Sequence, residues 1–598
     1  MASAVANMDV PKTARKLWQL HQHDAAAIDR LGRAVGVAPL IAQLLLNRKI
    51  ADTSQAQHFL QAPLVGMHEP ELLPGITQAV ERLFAAITDQ RKICVYGDYD
   101  VDGVTGTALL VTCLKILGAQ VDFHVPDRLE EGYGLNNDTL RRLAESGVKT
   151  VVTVDCGIAS SAEADEARRL GLELIVTDHH EFKATLPAAD VLVHPRLPGG
   201  TNGVAYPFGG LSGSGVAFKL AWALAKQASG GPKVTPRLRE FLLDALALAA
   251  LGTIADVVPL FDENRIFVRH GLMRLRAQPT IGMQALLRCA KLEGKSAFDA
   301  GDVGFVIAPR INAAGRLGTA RLAVELLMTA NSQRAAVLAD YLERQNQERQ
   351  LLERRILQEA RVLAEQFDRQ SALVLASAAW HPGLIGIVAS RLVDQFGRPV
   401  LLIALRDGQP HGHGSGRSVP GLALHEALEE CSADLVSHGG HAIAAGFRIV
   451  PEKIPEFRER FNAVAARRLG AEPAAQRWTM DAEVPLAALT TQVMLALEQL
   501  EPYGCGNPPP LLLADRLQIV GDPKRVGAGE RHLSFRVRQE GRTLKAIAFG
   551  MADRLGEMMS QGGQVSLVFT PRWNEWQGMR SIEIEVKDFQ AGPNAELA

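Results

Sequence analysis

Short apolar segments alternate with amphipathic ones between residues 92 and 193, and this alternation restricts the possible folds more than any other feature of the chain. The apolar segments predict strands over residues 92–96, 119–125, 150–154, 173–177 and 190–193. Helices are predicted between them, over residues 103–117, 138–146 and 161–170. Strands and helices that alternate at this spacing indicate an α/β fold with a parallel sheet covered on both faces.

Acidic residues directly follow three of these predicted strands. Asp98, Asp100 and Asp102 follow the first strand, Asp155 follows the third, and Asp178 follows the fourth. Binding sites in open α/β sheets form at the carboxyl ends of the strands. We therefore expect these acids to converge at one edge of the sheet.

The segment from Gly97 to Gly103 carries three carboxylates at alternate positions. Held close together, they would repel one another unless a cation lay between them, and oxygen ligands suit Mg²⁺ or Mn²⁺. A solvated acidic turn is one alternative. A calcium loop of the EF-hand type is another, although the preceding strand argues against it, as does the absence of a Glu at the twelfth position counted from Asp98.

Asp178, His179 and His180 offer oxygen and nitrogen ligands together at a strand end. Adjacent side chains on an extended backbone point apart, so His179 is predicted to ligate metal while His180 faces substrate or supports the ligands. Asp155 ends a neighbouring strand and is placed to bridge two metal ions. Asp256 ends a long apolar run, where a buried acid needs a partner that a metal would supply.

The rest of the chain divides by texture into several predicted regions. Residues 1–90 look helical, and the stretch between Gly318 and Pro382, which has no Gly or Pro, predicts a long helix. Its middle, residues 343–350, is polar on all sides, as is typical of a helix that bridges domains through solvent. After about Arg477, period-2 patterning predicts a small β-barrel or sandwich. We therefore predict a helical extension, an α/β domain, a connecting helix, a second α/β domain and a β module, over residues 1–90, 91–330, 331–370, 371–465 and 475–590.

Several motifs together resemble those of one protein family. Residues 96–103, 154–157, 178–180 and 252–260 are similar, in order, to the signature motifs of the DHH phosphoesterase superfamily. Further motifs resemble its bacterial RecJ family, at residues 309–316, 381–386, 414–418, 439–446 and 501–508. The resemblance runs from about residue 30 to the C-terminus. It implies a parallel-sheet DHH domain and an α/β DHH-associated domain joined by the long helix, with a C-terminal OB-like β-barrel.

The resemblance implies a metal-dependent 5′-to-3′ exonuclease that degrades single-stranded DNA in DNA repair and recombination. It also implies two divalent metal ions, Mn²⁺ or Mg²⁺, held by Asp98, Asp100, Asp102, Asp155, His179 and Asp256. Two cations would clamp the scissile phosphate, and one would lower the pKa of the attacking water. Asp155 is predicted to be the catalytic bridging ligand, and His180 the group that touches the phosphate or the leaving oxygen. Other branches have a His where this chain has Asp98, so the role of Asp98 stays open.

A second set of residues is predicted to hold the DNA. The resemblance assigns substrate binding to Arg310, Asn312, Arg316, Ser415, Arg417, Ser418 and His441. We expect residues 309–316 to form a turn-like segment, and residues 414–418 to form a phosphate-binding nest of backbone N–H groups, with a flexible glycine-rich loop as the alternative. In the OB-like module, nucleic-acid binding is predicted for Arg536, Lys545, Trp573 and Trp576, together with Arg538 and Arg572. Hairpin packing is the alternative for the tryptophans.

Composition limits the kind of partner and the compartment. The 64 Lys and Arg residues nearly balance 66 Asp and Glu residues, so a nucleic-acid surface must be a local groove. The six cysteines form no C-x-x-C pair, which indicates reduced thiols of a cytosolic protein. The longest apolar stretch, residues 245–255, is too short to span a bilayer. We expect a cytoplasmic monomer without membrane contact that binds single-stranded DNA, and the resemblance adds single-strand-binding protein and a helicase as partners.

Two other functions fit parts of the pattern. A DHH phosphodiesterase of short oligoribonucleotides or cyclic dinucleotides would share the first two domains, but the additional OB-like module argues against it. A non-catalytic DNA-binding scaffold would be expected to have lost some acids, yet every ligand position is present. The sequence therefore favours the exonuclease.

Overall fold

The computed structural model describes residues 17–128, 130–198, 205–367, 370–406, 408–470, 477–576 and 579–593. Its first region is mainly helical, as predicted, with α1 to α4 at Ala25–Val35, Pro39–Asn47, Thr53–Gln61 and Ile76–Thr88. It also contains a strand that the sequence did not indicate, β1 (Leu17–Leu20), which pairs in parallel with β12 (Arg477–Met480). Apolar residues of α1 to α3 pack with Met494 and Leu497 in one core cluster. The extension is thus attached to the C-terminal part of the chain.

The predicted parallel sheet is present and has five strands in the order β3-β2-β4-β5-β6. In chain order these are Ile93–Gly97 (β2), Val121–His124 (β3), Thr150–Val154 (β4), Glu173–Thr177 (β5) and Val191–Val193 (β6). Strands β2 and β4 are buried along their whole length, which explains why their sequences are continuously apolar or β-branched. The crossover helices are α5 (Val101–Ile116), α6 (Asn137–Glu145) and α7 (Ser161–Arg169). Because β2, β4 and β5 are neighbours, their carboxyl ends lie side by side.

A helical layer follows the sheet and covers α5. Its helices are α8 (Gly213–Ala228), α9 (Pro236–Ala255), α10 (Asp262–Ala277), α11 (Ile281–Cys289), α12 (Ala300–Asp302), α13 (Ala308–Leu317) and α14 (Arg321–Met328). A π-helical turn, Val303–Ile307, joins α12 to α13. The prediction of a turn-like segment at residues 309–316 is therefore wrong, since these residues lie in α13. Gly315 serves close packing: a Cβ there would lie 2.5 Å from the Tyr99 carbonyl oxygen.

The long connecting helix, α15, spans Ser332–Glu365. Its middle was predicted to be solvated on all sides, but Asn346, Arg349 and Glu353 are buried. The Arg349 guanidinium donates to Asn346 Oδ1 at 2.8 Å and to Glu353 Oε2 at 2.8 Å. Arg391 adds a second cation, 2.6 Å from Glu353 Oε1. These side chains pair with one another and with Arg391, so a polar helix face lies against protein instead of water.

The second α/β region contains a mixed sheet in the order β10-β11-β9-β8-β7. Its strands are Leu373–Ser377 (β7), Val400–Ala404 (β8), Gly412–Arg417 (β9), Leu435–Gly440 (β10) and Ala444–Ile449 (β11), with helices Ile385–Phe396 (α16), Leu424–Glu430 (α17) and Ile454–Leu469 (α18). Strand β9 pairs on both sides, with β8 and β11. Its backbone N–H groups are used in these ladders, so the predicted phosphate-binding nest at residues 414–418 is wrong, as is a flexible loop. Gly414 is needed for packing, because a Cβ there would lie 2.2 Å from the Phe447 ring.

The C-terminal region forms the predicted OB-like barrel. Its elements after β12 are Ala482–Glu483 (β13), Thr491–Glu498 (α19), Leu512–Val526 (β14), His532–Gln539 (β15), Arg542–Ala548 (β16), Leu555–Met559 (α20), Gln564–Trp576 (β17) and Met579–Ala591 (β18). The strand order β14-β15-β16-β18-β17 closes on itself through pairing of β14 with β17. Alternate residues such as Leu533, Phe535 and Val537 fill the interior, in agreement with the period-2 pattern.

A buried arginine attaches the linker, which comprises residues 499–511 between α19 and β14, to the helical layer. Arg265 of α10 is 1% exposed. Its guanidinium donates to the carbonyl oxygens of Phe59 at 2.6 Å, Leu500 at 3.0 Å and Glu501 at 2.7 Å. It therefore holds α3, α10 and the linker together through main-chain contacts.

Candidate active site

The predicted metal ligands converge at the carboxyl edge of the first sheet. Asp98 to Asp102 follow β2, Asp155 follows β4, His179 follows β5, and Asp256 directly follows α9. Candidate ligand atoms within 4.8 Å of one another form three groups: Asp98, Asp100 and Asp155; Asp102, His179 and Asp256; and Asp155, His179 and His180. Asp155 and His179 each belong to two groups, so the arrangement has two centres joined by shared ligands.

Several atoms that face these centres are buried and have no hydrogen-bond partner. They are Asp98 Oδ1, Asp155 Oδ1, His179 Nε2 and Asp256 Oδ2. His179 Nε2 lies 3.1 Å from Asp155 Oδ1 and 3.5 Å from Asp256 Oδ2. Since buried polar atoms are normally satisfied, ligand atoms that converge without partners fit bound cations.

The carboxylates cannot all be charged without a countercharge. Burial raises the pKa of Asp98 and of Asp155 well above the ordinary range, and the charges of neighbouring acids raise both further. Burial, followed by the charges of Asp102 and Asp100, raises the pKa of Asp256 to about 9. A cation would reverse these shifts because it favours the ionised carboxylate.

Main-chain N–H groups and two glycines hold the acids in place. Asp100 caps α5 by accepting from the N–H groups of Asp102 at 2.9 Å and Gly103 at 3.1 Å. Asp102 accepts from Gly213 N–H at 2.5 Å and from Ser214 N–H at 3.0 Å, at the start of α8. A Cβ on Gly213 would lie 2.5 Å from Asp155 Oδ1, so only glycine fits there. Sequence reasoning missed this support, for which the run of small residues at 212–215 was the available signal.

The two histidines do not point apart as predicted. Their ring centroids are 4.4 Å from each other. The reason is Asp178, which accepts from the N–H groups of Ile158, His179 and His180 at 2.9, 2.7 and 3.2 Å. These bonds turn the chain, and the Asp178 carboxylate also receives the His180 ring Nδ1 at 2.8 Å. Both rings therefore face the acids.

Asp178 and His180 form an ion pair. Burial by itself would raise the pKa of Asp178, but hydrogen bonding to His180 and the positive charge of that ring hold it at about 2. Burial would lower the pKa of His180, but the hydrogen bond with Asp178 and the charges of Asp178 and Asp256 raise it to about 9. In the absence of metal, the pair therefore favours a protonated His180 beside an ionised Asp178.

Tyr133 is a site residue that sequence reasoning missed. Its hydroxyl lies 3.1 Å from His180 Nδ1 and donates to the Asp155 carbonyl oxygen at 3.1 Å. The side chain is 52% exposed, so it stands at the mouth of the site. The available signal was an aromatic residue between Gly132 and Gly134, both of which have positive φ.

Three arginines gather next to the Asp98 to Asp102 loop. Arg128 lies over the Tyr99 ring, 5.0 Å from its centroid. The Arg316 guanidinium donates to the Gly383 carbonyl at 2.9 Å, and that of Arg417 to the Gly416 carbonyl at 2.8 Å. Within the described part of the chain, their contacts are with a ring, a hydroxyl and main-chain carbonyl oxygens, and no ion pair with a carboxylate is among them.

Charge concentrates where these arginines meet. Burial, followed by the charge of Arg128, lowers the pKa of Arg316 to about 10 and also lowers that of Arg417. Three guanidinium groups gathered at one place suit an anionic group such as a phosphate. Sequence reasoning found Arg316 and Arg417 but missed Arg128, which lies outside the motifs.

The other predicted substrate residues lie in several different environments. Arg310 is paired with Glu343 at 2.6 Å, and Asn312 is half-buried on α13. The buried Ser418 donates its hydroxyl proton to the Leu422 carbonyl at 2.7 Å, while Ser415 Oγ lies 3.3 Å from Arg417 Nη1. His441 is exposed at the turn between β10 and β11.

In the barrel, the predicted nucleic-acid residues separate into exposed and engaged groups. Arg536 is exposed on β15, opposite Lys545 of β16. Lys545 Nζ lies 2.7 Å from Glu583, which also pairs with Arg572 at 2.6 Å. Trp573 packs against the cluster formed by α1 to α3 and α19, which favours the packing alternative for this residue. The side chain of Trp576 lies outside the described residues.

Comparison with known proteins gives relatives for every major part of the chain. The family model described as DHH family, N-terminal domain, matches residues 92–250, the DHHA1 domain matches 369–467, and the RecJ OB domain matches 480–588. The chain is 38% identical to the single-stranded-DNA-specific exonuclease RecJ of Bacillus subtilis (strain 168), over 96% of this chain and 70% of that protein. It is 36% identical to the protein of the same name from Escherichia coli (strain K12), over 91% of this chain and 95% of that protein.

Solved structures agree with these relatives. The crystal structure of RecJ in complex with Mn²⁺ from Thermus thermophilus matches with a TM-score of 0.81 and 34% identity, covering 98% of this chain and 80% of that chain. The corresponding complex with Mg²⁺ matches with a TM-score of 0.76 and 33% identity, over the same shares of both chains.

Proposed function

The chain belongs to the RecJ family of single-stranded-DNA-specific exonucleases, and from that premise we propose that it removes nucleotides from the 5′ end of single-stranded DNA by metal-dependent hydrolysis. One observation carries the proposal. Four buried ligand atoms, on Asp98, Asp155, His179 and Asp256, converge on two joined centres without hydrogen-bond partners. Buried ligand atoms without partners are unfavourable unless cations bind them. The solved structures that this chain resembles are complexes with Mn²⁺ and Mg²⁺.

The six predicted ligands would hold two divalent ions, Mn²⁺ or Mg²⁺. One centre comprises Asp98, Asp100 and Asp155, and the other comprises Asp102, His179 and Asp256, with Asp155 close to both. Bound there, the ions would neutralise the carboxylates, lower the pKa of water and stabilise the charge that develops on the scissile phosphate. Oxygen-rich ligands with one imidazole suit these hard ions.

The chain's own groups orient the phosphate and the proton. His180 directs Nδ1 to Asp178, which leaves Nε2 as the donor toward the substrate. Burial lowers the pKa of His180, but in the site without metal the hydrogen bond and charge of Asp178 raise it to about 9. The ring is thus placed to bind a phosphate oxygen or to give a proton to the leaving 3′ oxygen. The Tyr133 hydroxyl, 3.1 Å from the same ring, limits its rotation.

The proposed 5′-to-3′ polarity rests on the family resemblance, and the arginine cluster supports it by offering a place for the terminal phosphate. Arg128, Arg316 and Arg417 bind the terminal 5′ phosphate, next to the Asp98 to Asp102 loop. The first internucleotide phosphate then reaches the metal centre, and one nucleotide is released. Digestion of single strands labelled at either end, with Mn²⁺ or Mg²⁺, tests this: loss of the 5′ label first supports the proposal. Initial loss of the 3′ label, or faster hydrolysis of dinucleotides than of long strands, contradicts it.

Asp155→Ala is expected to abolish cleavage and to leave DNA affinity largely intact. Asp155 faces both centres, so no other ligand can replace it, whereas strand binding relies on arginines elsewhere. Asp165→Ala, in which the removed carboxylate is 70% exposed on α7, is the control and keeps wild-type activity. Nuclease assays and fluorescence anisotropy measure the two properties. Full activity of Asp155→Ala would refute the two-metal centre.

The enzyme acts in the cytoplasm as a monomer in DNA repair and recombination, with single-strand-binding protein and a helicase as partners. All six cysteines are free, which suits a reducing compartment. No helix in the described ranges has both the length and the apolarity needed to cross a bilayer. Sedimentation of the purified protein tests the monomer, and co-purification with single-strand-binding protein tests that partnership.

A further inference from the structure

The backbone is strained directly after the predicted ligand Asp256. Val257 has a φ of 61°, in the left-handed region that a β-branched residue rarely adopts. Its side chain is 66% exposed, so burial of that side chain does not offset the strain. Asp262, at the other end of the loop formed by residues 257–262, also has a positive φ, of 45°. Strained conformations persist only where the surroundings hold them, so other contacts must fix this loop.

The linker before the barrel makes contacts on one side of the loop. Leu260 donates its N–H to the Cys505 carbonyl at 2.8 Å. A Cβ on Gly504 would lie 2.6 Å from Leu260 Cδ1. A Cβ on Gly506 would lie 2.7 Å from the Phe261 ring. Linker and loop are therefore packed too closely for a side chain to fit between them.

Asn264 of α10 holds the same loop from within the protein. The side chain is fully buried, and its Nδ2 donates to the Pro259 carbonyl at 3.0 Å and to the Gly210 carbonyl at 2.6 Å. Gly210 shortly precedes α8, whose first N–H groups hold Asp102. Since Asp102 and Asp256 belong to one group of candidate ligands, the loop is tied to the support of that whole centre.

Asn507 fixes the shape of the linker itself. This side chain is fully buried, and its Nδ2 donates to the carbonyls of Leu500 and Pro502, both at 2.8 Å. Its Oδ1 accepts from Arg48 Nε at 2.6 Å. Arg48 directly follows α2, so the helical extension also stabilises the linker.

We propose that Asn507 and Gly504 are positioning residues for Asp256, acting through the contact between the linker and residues 257–262. The inference rests on the proposed function, because it takes Asp256 to be a metal ligand together with Asp102 and His179. A linker of the observed shape holds the strained backbone, and that backbone directs the Asp256 carboxylate to its centre. If the linker loosens, Val257 relaxes to a negative φ and the carboxylate turns away. The motif at residues 501–508 thereby supports the metal centre, although it supplies no predicted ligand.

The first test is Mn²⁺ binding to the purified protein, measured from the EPR signal of the free ion. The wild type binds two ions. Asn507→Ala removes three hydrogen bonds, and we expect it to weaken one of the two sites at least about tenfold, the usual effect of losing support behind a metal ligand. The other site keeps the wild-type affinity.

Asn462→Ala is the matched control for this variant. It also removes three hydrogen bonds, but from the second α/β region, where the Asn462 side chain binds Ala372, Gln370 and Arg458. Both Mn²⁺ sites should keep their wild-type affinity.

Gly504→Ala tests the same contact without removing a hydrogen bond, and it decides the matter if Asn507→Ala does not fold. The new methyl presses on Leu260, which is only 2% exposed and so has little room to move. We expect the same Mn²⁺ site to weaken. Gly294→Ala, whose Cβ would meet no atom within 4 Å, is the control and binds both ions as the wild type does.

A double-mutant cycle links the effect to Asp256. Asp256→Asn alone weakens one Mn²⁺ site, and adding Asn507→Ala or Gly504→Ala has little further effect, because both changes act on the same ligand. Wild-type Mn²⁺ affinity in the linker variants, equal weakening of both sites, or additive effects in the cycle would overturn the inference. A wild-type protein that binds no Mn²⁺ would instead contradict the proposed function.

Discussion

Asp178 shows how much of this centre depends on residues that do not face the cations. Its carboxylate accepts from three backbone N–H groups and from the His180 ring, and it belongs to none of the candidate ligand groups found among the described residues. It sets the direction of the His179 ring as well as the charge of His180. Asp178 is therefore a positioning residue whose removal affects two neighbours at once.

Asp178→Asn is expected to lower kcat by about ten- to hundredfold, the usual cost of losing support behind metal ligands. The pH profile gives a more specific readout. Asp178 holds the pKa of His180 at about 9, so the pKa of His180 falls when the charge of Asp178 is removed. The loss of activity with rising pH should therefore begin at a lower pH in the variant than in the wild type. Rate measurements across pH 6 to 10 check this.

Asp190→Asn serves as the control for that variant. Asp190 likewise accepts a main-chain N–H, that of Leu174 at 2.8 Å, but it lies at the amino end of the strands. It should keep the wild-type pH profile. An unshifted profile in Asp178→Asn would show that His180 owes its charge to something else.

Arg417 makes a prediction about DNA binding that is independent of catalysis. Arg417→Ala is expected to weaken binding of a 5′-phosphorylated strand and to make the salt dependence shallower by about one counterion, because one phosphate contact is lost. Arg468→Ala, which removes an arginine of the same region already paired with Glu426 and Glu430, is the control. Affinities measured between 50 and 300 mM salt decide the matter; an unchanged slope for Arg417→Ala speaks against a phosphate contact.

At the scale of elements, the unit formed by α12, the π turn and α13 positions the metal loop from outside the sheet. Gly315 allows α13 to approach the Tyr99 carbonyl, immediately before Asp100. If α13 were displaced here, the loop would move with it, and so would the centre formed by Asp98, Asp100 and Asp155. The helix therefore contributes to catalysis through contact, although it supplies no predicted metal ligand.

Gly315→Ala tests this contact. Replacing a helical glycine by alanine ordinarily stabilises a helix by up to about 1 kcal/mol, but here the new Cβ would lie 2.5 Å from a backbone oxygen. We expect the loop to shift and kcat to fall about ten- to hundredfold. Gly556→Ala, in α20 with open space around the new Cβ, should leave activity unchanged. Wild-type activity in Gly315→Ala would mean that the helix can move without affecting the centre.

At the scale of the whole molecule, the charge cluster links cation binding to folding. Several acids that are exposed in the unfolded chain become buried neighbours in the folded one. In the absence of metal, the folded state must bind protons or tolerate repulsion. Metal binding to the folded state alone stabilises it by mass action, about 2.7 kcal/mol at a hundredfold excess over Kd.

The sign of the pH dependence follows from Asp256. Its pKa in the folded state is raised from the ordinary value of 3.8 to about 9, so this contribution to stability is fully present below pH 3.8 and is lost as pH rises through 9. We expect the melting temperature in EDTA to fall between pH 6 and 9, and Mn²⁺ to raise it by more degrees at pH 9 than at pH 6. Calorimetry of wild type and Asp256→Asn measures this, and the variant should lose less. An identical pH dependence in both would contradict the assignment.

The parallel sheet, the barrel and the main acids of the site could all be predicted from the sequence. Continuous apolar strands such as residues 150–154 and alternating ones such as residues 533–537 leave a direct periodic signal. Asp98, Asp155 and His179 could be found because an acid or imidazole at a strand end has a known destination in this kind of fold. These are local properties of the chain. The order of the motifs along the sequence, which resembles that of the DHH phosphoesterase superfamily, then indicated the family.

Tertiary structure decided what local pattern cannot contain. The helix at residues 309–316, the central strand at 412–417 and the buried middle of α15 each depend on what packs against them, so their glycines and charges misled sequence reasoning. Tyr133 and Arg128 reach the site from loops outside the motifs. Contacts between residues distant in the chain depend on the spatial arrangement of the elements, and that arrangement leaves no periodic trace in the sequence.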